Sequence, residues 1–136
     1  MEELNKVRIV PLDSVTLPFY GTVGANSIKT LVSGHLTFPF TTEEFRAHFA
    51  LNTNKTLRLR FFMSPDDSAP TSFPVGGNSI FLPVGQVDYL VGDDETVVVR
   101  YRVEIAESGT FLKVVAENTD SYDHTIDAQV EITRKM

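Results

Sequence analysis

The sequence predicts an all-β fold, an antiparallel β-sandwich of the jelly-roll kind. Apolar residues recur with period two in several short runs, turn formers separate those runs, and neither a βαβ alternation nor a repeat of 20–50 residues intervenes. The composition fits one sandwich domain over residues 1–136, with 42% hydrophobic residues and ten Phe to fill its core. A chain of this size buries roughly 68–70% of its unfolded surface, so it needs no staple to hold a core.

Val7 and Ile9 give an opening strand ended by Pro11, and further strands are expected at 15–20 and 33–40. One short helix is expected near residues 42–50. Thr41 stands three residues before Glu44 in the manner of a capping box, and Phe45 and Phe49 share a helical face at i and i+4. Residues 56–63, Thr-Leu-Arg-Leu-Arg-Phe-Phe-Met, put Leu57, Leu59 and Phe61 on the core face of a strand. The longest loop falls at 64–79, which contains Pro65, Pro70, Pro74, Gly76 and Gly77, and it is the first place to look for contacts with a partner.

Between Ile80 and Val91, Pro83 and Gly85 limit the pattern to one or two short strands. From 96 to 106, Val97, Val99, Tyr101, Val103 and Ile105 alternate with Val98, Arg100, Arg102 and Glu104. Glu107-Ser108-Gly109 interrupts this run and residues 110–118 resume it, which predicts an antiparallel hairpin. After a polar turn at 119–124, Ile126, Ala128, Val130 and Ile132 mark a closing strand. About eight strands result. A jelly roll is preferred to an immunoglobulin-like order because the Cys…Trp…Cys hallmark needs two residue types the chain lacks.

A net charge of −6 disfavours nucleic acid as a partner, since phosphate binding draws on Lys and Arg. Arg58 with Arg60, and Arg100 with Arg102, read as solvated or ion-paired sheet faces. No stretch approaches the ~18 uninterrupted apolar residues of a membrane span, and the amino end lacks the basic and apolar regions of a signal peptide. With no cysteine there is no disulfide, thiolate nucleophile or Cys-ligated metal.

His35, His48 and His124 keep none of the close spacings that pair metal ligands on one element. Asp120, Asp123 and Asp127 could offer oxygens to calcium, but they lack the EF-hand spacing and suit ordinary turn chemistry; Asp93-Asp94-Glu95 reads as a charged turn before a strand. Gly76-Gly77-Asn78-Ser79 has no P-loop lysine, and no GxSxG elbow surrounds any serine. No catalytic, cofactor-binding or metal-binding residue is therefore assigned, no cofactor is expected, and the chain reads as a non-enzymatic structural or interaction protein. Carbohydrate binding is the alternative. Tyr20, Tyr89 and Tyr122 could stack on sugars, although a ring in the core with its hydroxyl at the surface is the commoner use of tyrosine.

The stretch from Gly92 to Ile132, with Tyr101-Arg-Val-Glu-Ile, Gly109-Thr-Phe-Leu-Lys-Val-Val-Ala-Glu-Asn118 and Ile126-Asp-Ala-Gln-Val-Glu-Ile132, resembles small accessory proteins of bacteriophage virions. The resemblance implies a capsid-decorating or auxiliary protein located in the virion, with the cytoplasm as the alternative. It also implies a homo-oligomer, a trimer being one such form, that adheres to a larger assembly such as a capsid. Neither nucleic acid nor membrane is an expected partner. The arm from Met1 to Lys6 could reach onto a neighbouring subunit or simply fray.

Overall fold

The computed structural model describes residues 14–73, 75–81 and 88–135. Nine strands lie among them: β1 (Ser14–Val23), β2 (Ile28–Val32), β3 (Phe40–Phe49), β4 (Leu57–Ser64), β5 (Asn78–Ser79), β6 (Glu95–Val99), β7 (Glu104–Ile105), β8 (Phe111–Asn118) and β9 (His124–Arg134). They form two antiparallel sheets, one in the order β1-β9-β3-β6 with β7 also on β3, the other in the order β2-β8-β4-β5. With β6 and β7 taken as halves of one interrupted strand, the pairs nest first with last: β1 with β9, β2 with β8, β3 with β6 and β7, β4 with β5. Successive pairs go to opposite sheets, which is the order of a jelly roll. The expected all-β sandwich is the observed fold.

Inward-facing side chains of both sheets make one core. Phe19 and Val23 come from β1, Phe45, Ala47 and Phe49 from β3, Leu57, Leu59 and Phe61 from β4, Leu112, Val114 and Ala116 from β8, and Ile126, Ala128, Val130 and Ile132 from β9. Three aromatic rings join the layers edge to face: Phe45 of one sheet lies 5.1 Å from Phe61 of the other, and Phe81 stands 4.9 Å from the first and 5.6 Å from the second. Such pairs add about 0.5–1.5 kcal/mol each to the stabilisation by burial.

Four expectations are corrected. The helix near residues 42–50 is strand β3, because i and i+4 share a face in a strand as they do in a helix. Ala47 completes the buried series between Phe45 and Phe49, while Arg46 and His48 point outward. The Thr41 to Glu44 spacing serves a β-bulge instead of a helix cap, since the β3–β9 register shifts between Thr42 and Glu44. That bulge also splits the expected strand at 96–106. Opposite it the Thr42 hydroxyl supplements the backbone bond from Thr42 N–H to the Val103 carbonyl, accepting from the Val103 N–H at 2.9 Å and donating to the Tyr101 carbonyl at 2.8 Å.

The expected hairpin between 96–106 and 110–118 does not form. β6 and β7 belong to one sheet and β8 to the other, so residues 106–110 arch between layers. β8 is a central strand with β2 on one edge and β4 on the other. It is buried on both faces from Leu112 to Ala116, by the opposite sheet inside and by the segment holding Asp66 and Ser68 outside. The strand expected at 33–40 is displaced too: the pairing segment is β2, and 33–39 is irregular apart from a bridge between Leu36 and Thr110. Pro39 offers no N–H to a ladder there. The opening strand at Val7 and Ile9 lies outside the described residues, as do 82–87 of the segment expected to hold one or two short strands; β5 and a bridge from Leu90 to Leu59 flank that gap.

Phe61 has no exposed surface and touches both other rings, so Phe61→Ala is expected to lower stability by about 3–5 kcal/mol through lost burial and a cavity. Urea denaturation checks this. A change under 1 kcal/mol would mean the triangle does not hold the sheets.

Candidate functional site

Strand direction sends four connections to one end of the sandwich: 24–27, 50–56, 92–94 and 119–123. The described non-glycine residues with positive φ all lie there, Asn26 at 50°, Asn52 at 75°, Asn54 at 49°, Lys55 at 59° and Asp94 at 51°. Asn and Asp tolerate this left-handed region better than most residues, which accounts for four of the five. Cross-links bind these loops together. The Asn26 N–H donates to the Asp120 carbonyl, Lys55 N–H to the Gly92 carbonyl and Thr119 N–H to the Thr56 carbonyl.

Asn118 is the central fastener. It is only 2% exposed, yet its amide donates to the carbonyls of Gly24 at 3.0 Å and Tyr122 at 2.7 Å, and its Oδ1 accepts the Asp120 N–H at 2.9 Å. One side chain therefore satisfies three backbone groups from two loops. A depression of about 610 Å³ opens among these loops, lined by Leu51, Asn52, Asn54, Asp120, Tyr122 and His124 among others. Tyr122 is 72% exposed and Leu51 is 65% exposed, so an aromatic and an aliphatic surface stand beside amides and carboxylates.

His124 meets both a carboxylate and a hydroxyl, but at the same ring nitrogen. Nε2 lies 3.0 Å from Asp120 Oδ2 and 3.4 Å from Thr56 Oγ1. The bonds from His124 and then Ser121 hold the Asp120 carboxyl below its ordinary range. Thr56 donates its own proton to the Thr53 carbonyl at 2.6 Å. A serine-protease-like relay needs the acid and the nucleophile on opposite ring nitrogens. This arrangement fastens a turn instead.

The other expected groups are dispersed. His35 stacks on Phe111 at 4.7 Å, and His48 stands beside the Thr96 hydroxyl at 3.1 Å on the outer face of β3. Asp123 accepts the Ala25 N–H at 3.1 Å, Asp127 lies on β9 opposite Tyr20, and among the described residues no three His, Asp or Glu side chains gather as metal ligands. Tyr20 and Tyr122 are exposed instead of ring-in-core, and Tyr89 lies under the guanidinium groups of Arg58 and Arg60 at 5.1 and 5.0 Å. Asp94 turns the chain into β6 as expected, and Gly76 and Gly77, both at φ 84°, turn it into β5.

Loop 64–79, the suspected contact segment, covers the outer face of the β2-β8-β4 sheet. The Thr30 hydroxyl donates to the Pro70 carbonyl at 2.7 Å, and Arg60 lies over Phe73 while pairing with Glu117 at 2.7 Å. Beneath the loop Lys113 has no exposed side-chain surface and donates to Asp66 at 3.0 Å and Ser68 at 3.3 Å. Ser68, by its hydroxyl and N–H, and Lys113 hold the Asp66 carboxyl far below its ordinary value. Asn118 and Lys113 escaped notice in the sequence, where an Asn before a turn and a lone Lys among valines are unremarkable. The nearly continuous apolar run Phe-Leu-Lys-Val-Val-Ala at 111–116, the mark of a strand buried on both faces, was the signal for Lys113.

No protein-family model and no curated protein matches the chain by sequence. In three dimensions it is similar to a chain of infectious bursal disease virus Gt strain, with a TM-score of 0.50 and 10% identity, over 89% of this chain and 31% of that one. It is also similar to a chain of the naturally occurring empty particles of Cowpea mosaic virus, with a TM-score of 0.46 and 6% identity, over 89% and 83% of the two chains. TmCBM61, solved with β-1,4-galactotriose, gives a TM-score of 0.44 and 11% identity over 84% and 69%. At a TM-score of 0.50 and 10% identity, the likeness to the infectious bursal disease virus chain is one of fold alone.

Two predictions follow from the fasteners. Asn118→Ala leaves buried backbone groups unpaired and is expected to cost about 1–3 kcal/mol, read by urea denaturation, with faster amide exchange confined to 24–27 and 119–123. Asp66→Ala strands a buried ammonium and lowers the melting temperature, whereas Lys113→Met leaves it unchanged or raises it. Because folding lowers the Asp66 value from 3.8, its contribution is complete above that pH and is lost as pH falls below it. Thermal melts from pH 7 to 2 should show the Asp66→Ala deficit shrinking with acid; a deficit constant with pH would refute the charge-based account.

Proposed function

We propose that this chain is a non-enzymatic assembly protein of a virus particle, a decorating or auxiliary component that binds its own copies in a closed oligomer and adheres to a larger protein shell. One observation carries the proposal: the two outer faces of the sandwich are treated oppositely. Loop 64–79 covers the outer face of β2-β8-β4, while the outer face of β1-β9-β3-β6 stands open to solvent. Tyr20 on β1 is 74% exposed and Val98 on β6 is 43% exposed at opposite margins of that face.

Between those margins the rows are self-complementary in charge. Thr16, Glu131 and Glu44 stand in register on neighbouring strands, and Arg46 and Arg100 reach Glu44 at 2.8 and 3.4 Å. A two-sided polar face with apolar margins suits contact between copies, since stable interfaces bury about 800 Å² per partner with aromatic and Arg anchors. Strand addition at the edge of β1 that no described strand pairs is disfavoured, because Pro18 at its centre has no N–H to offer. Association through the open face fits better.

Carbohydrate binding is the second reading, favoured by the exposed Tyr122 ring beside Asn52, Asn54 and two carboxylates in the loop-end depression. Light scattering of untagged protein across a concentration series separates the readings. A closed oligomer that Tyr20→Asp dissociates supports assembly through the open face. A monomer at every concentration overturns it, and a glycan array that Tyr122→Ala silences, run with and without calcium, would then establish the second.

A further inference from the structure

The inward alternation of Tyr101, Val103 and Ile105 continues past the point where the opposite sheet ends. These side chains point toward the core but are only half-buried, because the facing edge strand β5 is two residues long. Where a longer strand would close the sandwich, a cleft of about 530 Å³ remains between the layers. Met63 and Ile80 form the other apolar wall, with Asn78 and Glu107 among the polar lining. Its size falls within the range of about 300–1,000 Å³ common to small-molecule sites.

Two hydroxyls make this more than an unfilled edge. Ser79 Oγ and Thr110 Oγ1 belong to residues lining the cleft, and both oxygens are buried from solvent without a hydrogen-bond partner among the described residues. Buried polar atoms are nearly always paired, and an orphan pair on one cavity calls for a missing partner. Pairing with a molecule in the cleft requires each hydroxyl to turn about χ1 into another of its staggered positions.

We propose that this cleft binds a small neutral amphiphile, an apolar body of about eight to twelve carbons with one hydroxyl or carbonyl head, as a cleft of this size allows. The body packs on Ile80, Tyr101, Val103 and Ile105, and the head pairs with Ser79 and Thr110. Glu107 at the lining disfavours an anionic head. Its lining shares no residue with the loop-end depression and includes neither Tyr20 nor Val98.

The test uses the full chain with the neutral dye N-phenyl-1-naphthylamine and 1-octanol as competitor. One dye should bind per chain and be displaced by octanol, and octanol should shift the methyl resonances of Val103 and Ile105 but not those of Ile126 and Val23. Ile105→Trp, which fills the cleft, should weaken the dye at least ten-fold with an unchanged circular dichroism spectrum. The double variant Ser79→Ala, Thr110→Val should weaken octanol at least three-fold. Absence of saturable binding, or methyl shifts elsewhere in the molecule, overturns the site; octanol binding equally well to the double variant overturns the assigned head.

Discussion

The Phe45–Phe61–Phe81 contact is the constraint on which the rest of this sandwich depends. Two sheets pack about 10 Å apart only if large side chains interdigitate between them. Here one ring comes from each sheet and the third from the segment after β5, so the triangle ties the edge of the fold to its centre. For Phe45 to reach inward, β3 must be extended through Phe49, and its bulge must then fall at Glu43. The interruption of the opposite edge and the bridging role of Thr42 follow from that geometry.

Beyond the core, the two outer faces divide the surface into a finished side and an unfinished one. Covering the β2-β8-β4 sheet placed a lysine under a loop, and a buried ammonium is tolerated only with partners that replace water. Asp66 and Ser68 supply them. No corresponding segment among the described residues covers the β1-β9-β3-β6 face, whose charges instead pair with each other along the strands. This asymmetry gives the assembly proposal a particular face.

Period-two patterning made the class of fold legible and placed Leu57 to Phe61 and Ile126 to Ile132 on core faces, because alternation is enforced wherever one face of a strand is buried. It misled where two periods coincide, as for Phe45 and Phe49, whose separation of four residues satisfies both helix and strand. Partner choice was less legible than strand existence. Glu107-Ser108-Gly109 can close a hairpin or arch between sheets, and only the pairing of β8 with β2 and β4 distinguishes these. Of the candidate site, Tyr122 and the Asp120 turn were visible. Asn118 was not, since the carbonyls it gathers come from residues 24 and 122.

The nesting of first strand with last has a consequence in time. Pairing of β1 with β9 runs from Ser14 opposite Thr133 to Val23 opposite His124, so this ladder closes a loop of most of the chain. Such non-local pairing must absorb its loop entropy before any contact rewards it, and sandwiches of this kind commonly fold in milliseconds to seconds. Until β1 and β9 meet, the edge of β9 that β1 pairs is uncovered. The slowest contact to form is therefore also the one that shields a nascent chain from its neighbours, and in a crowded setting early encounters between copies compete with folding itself.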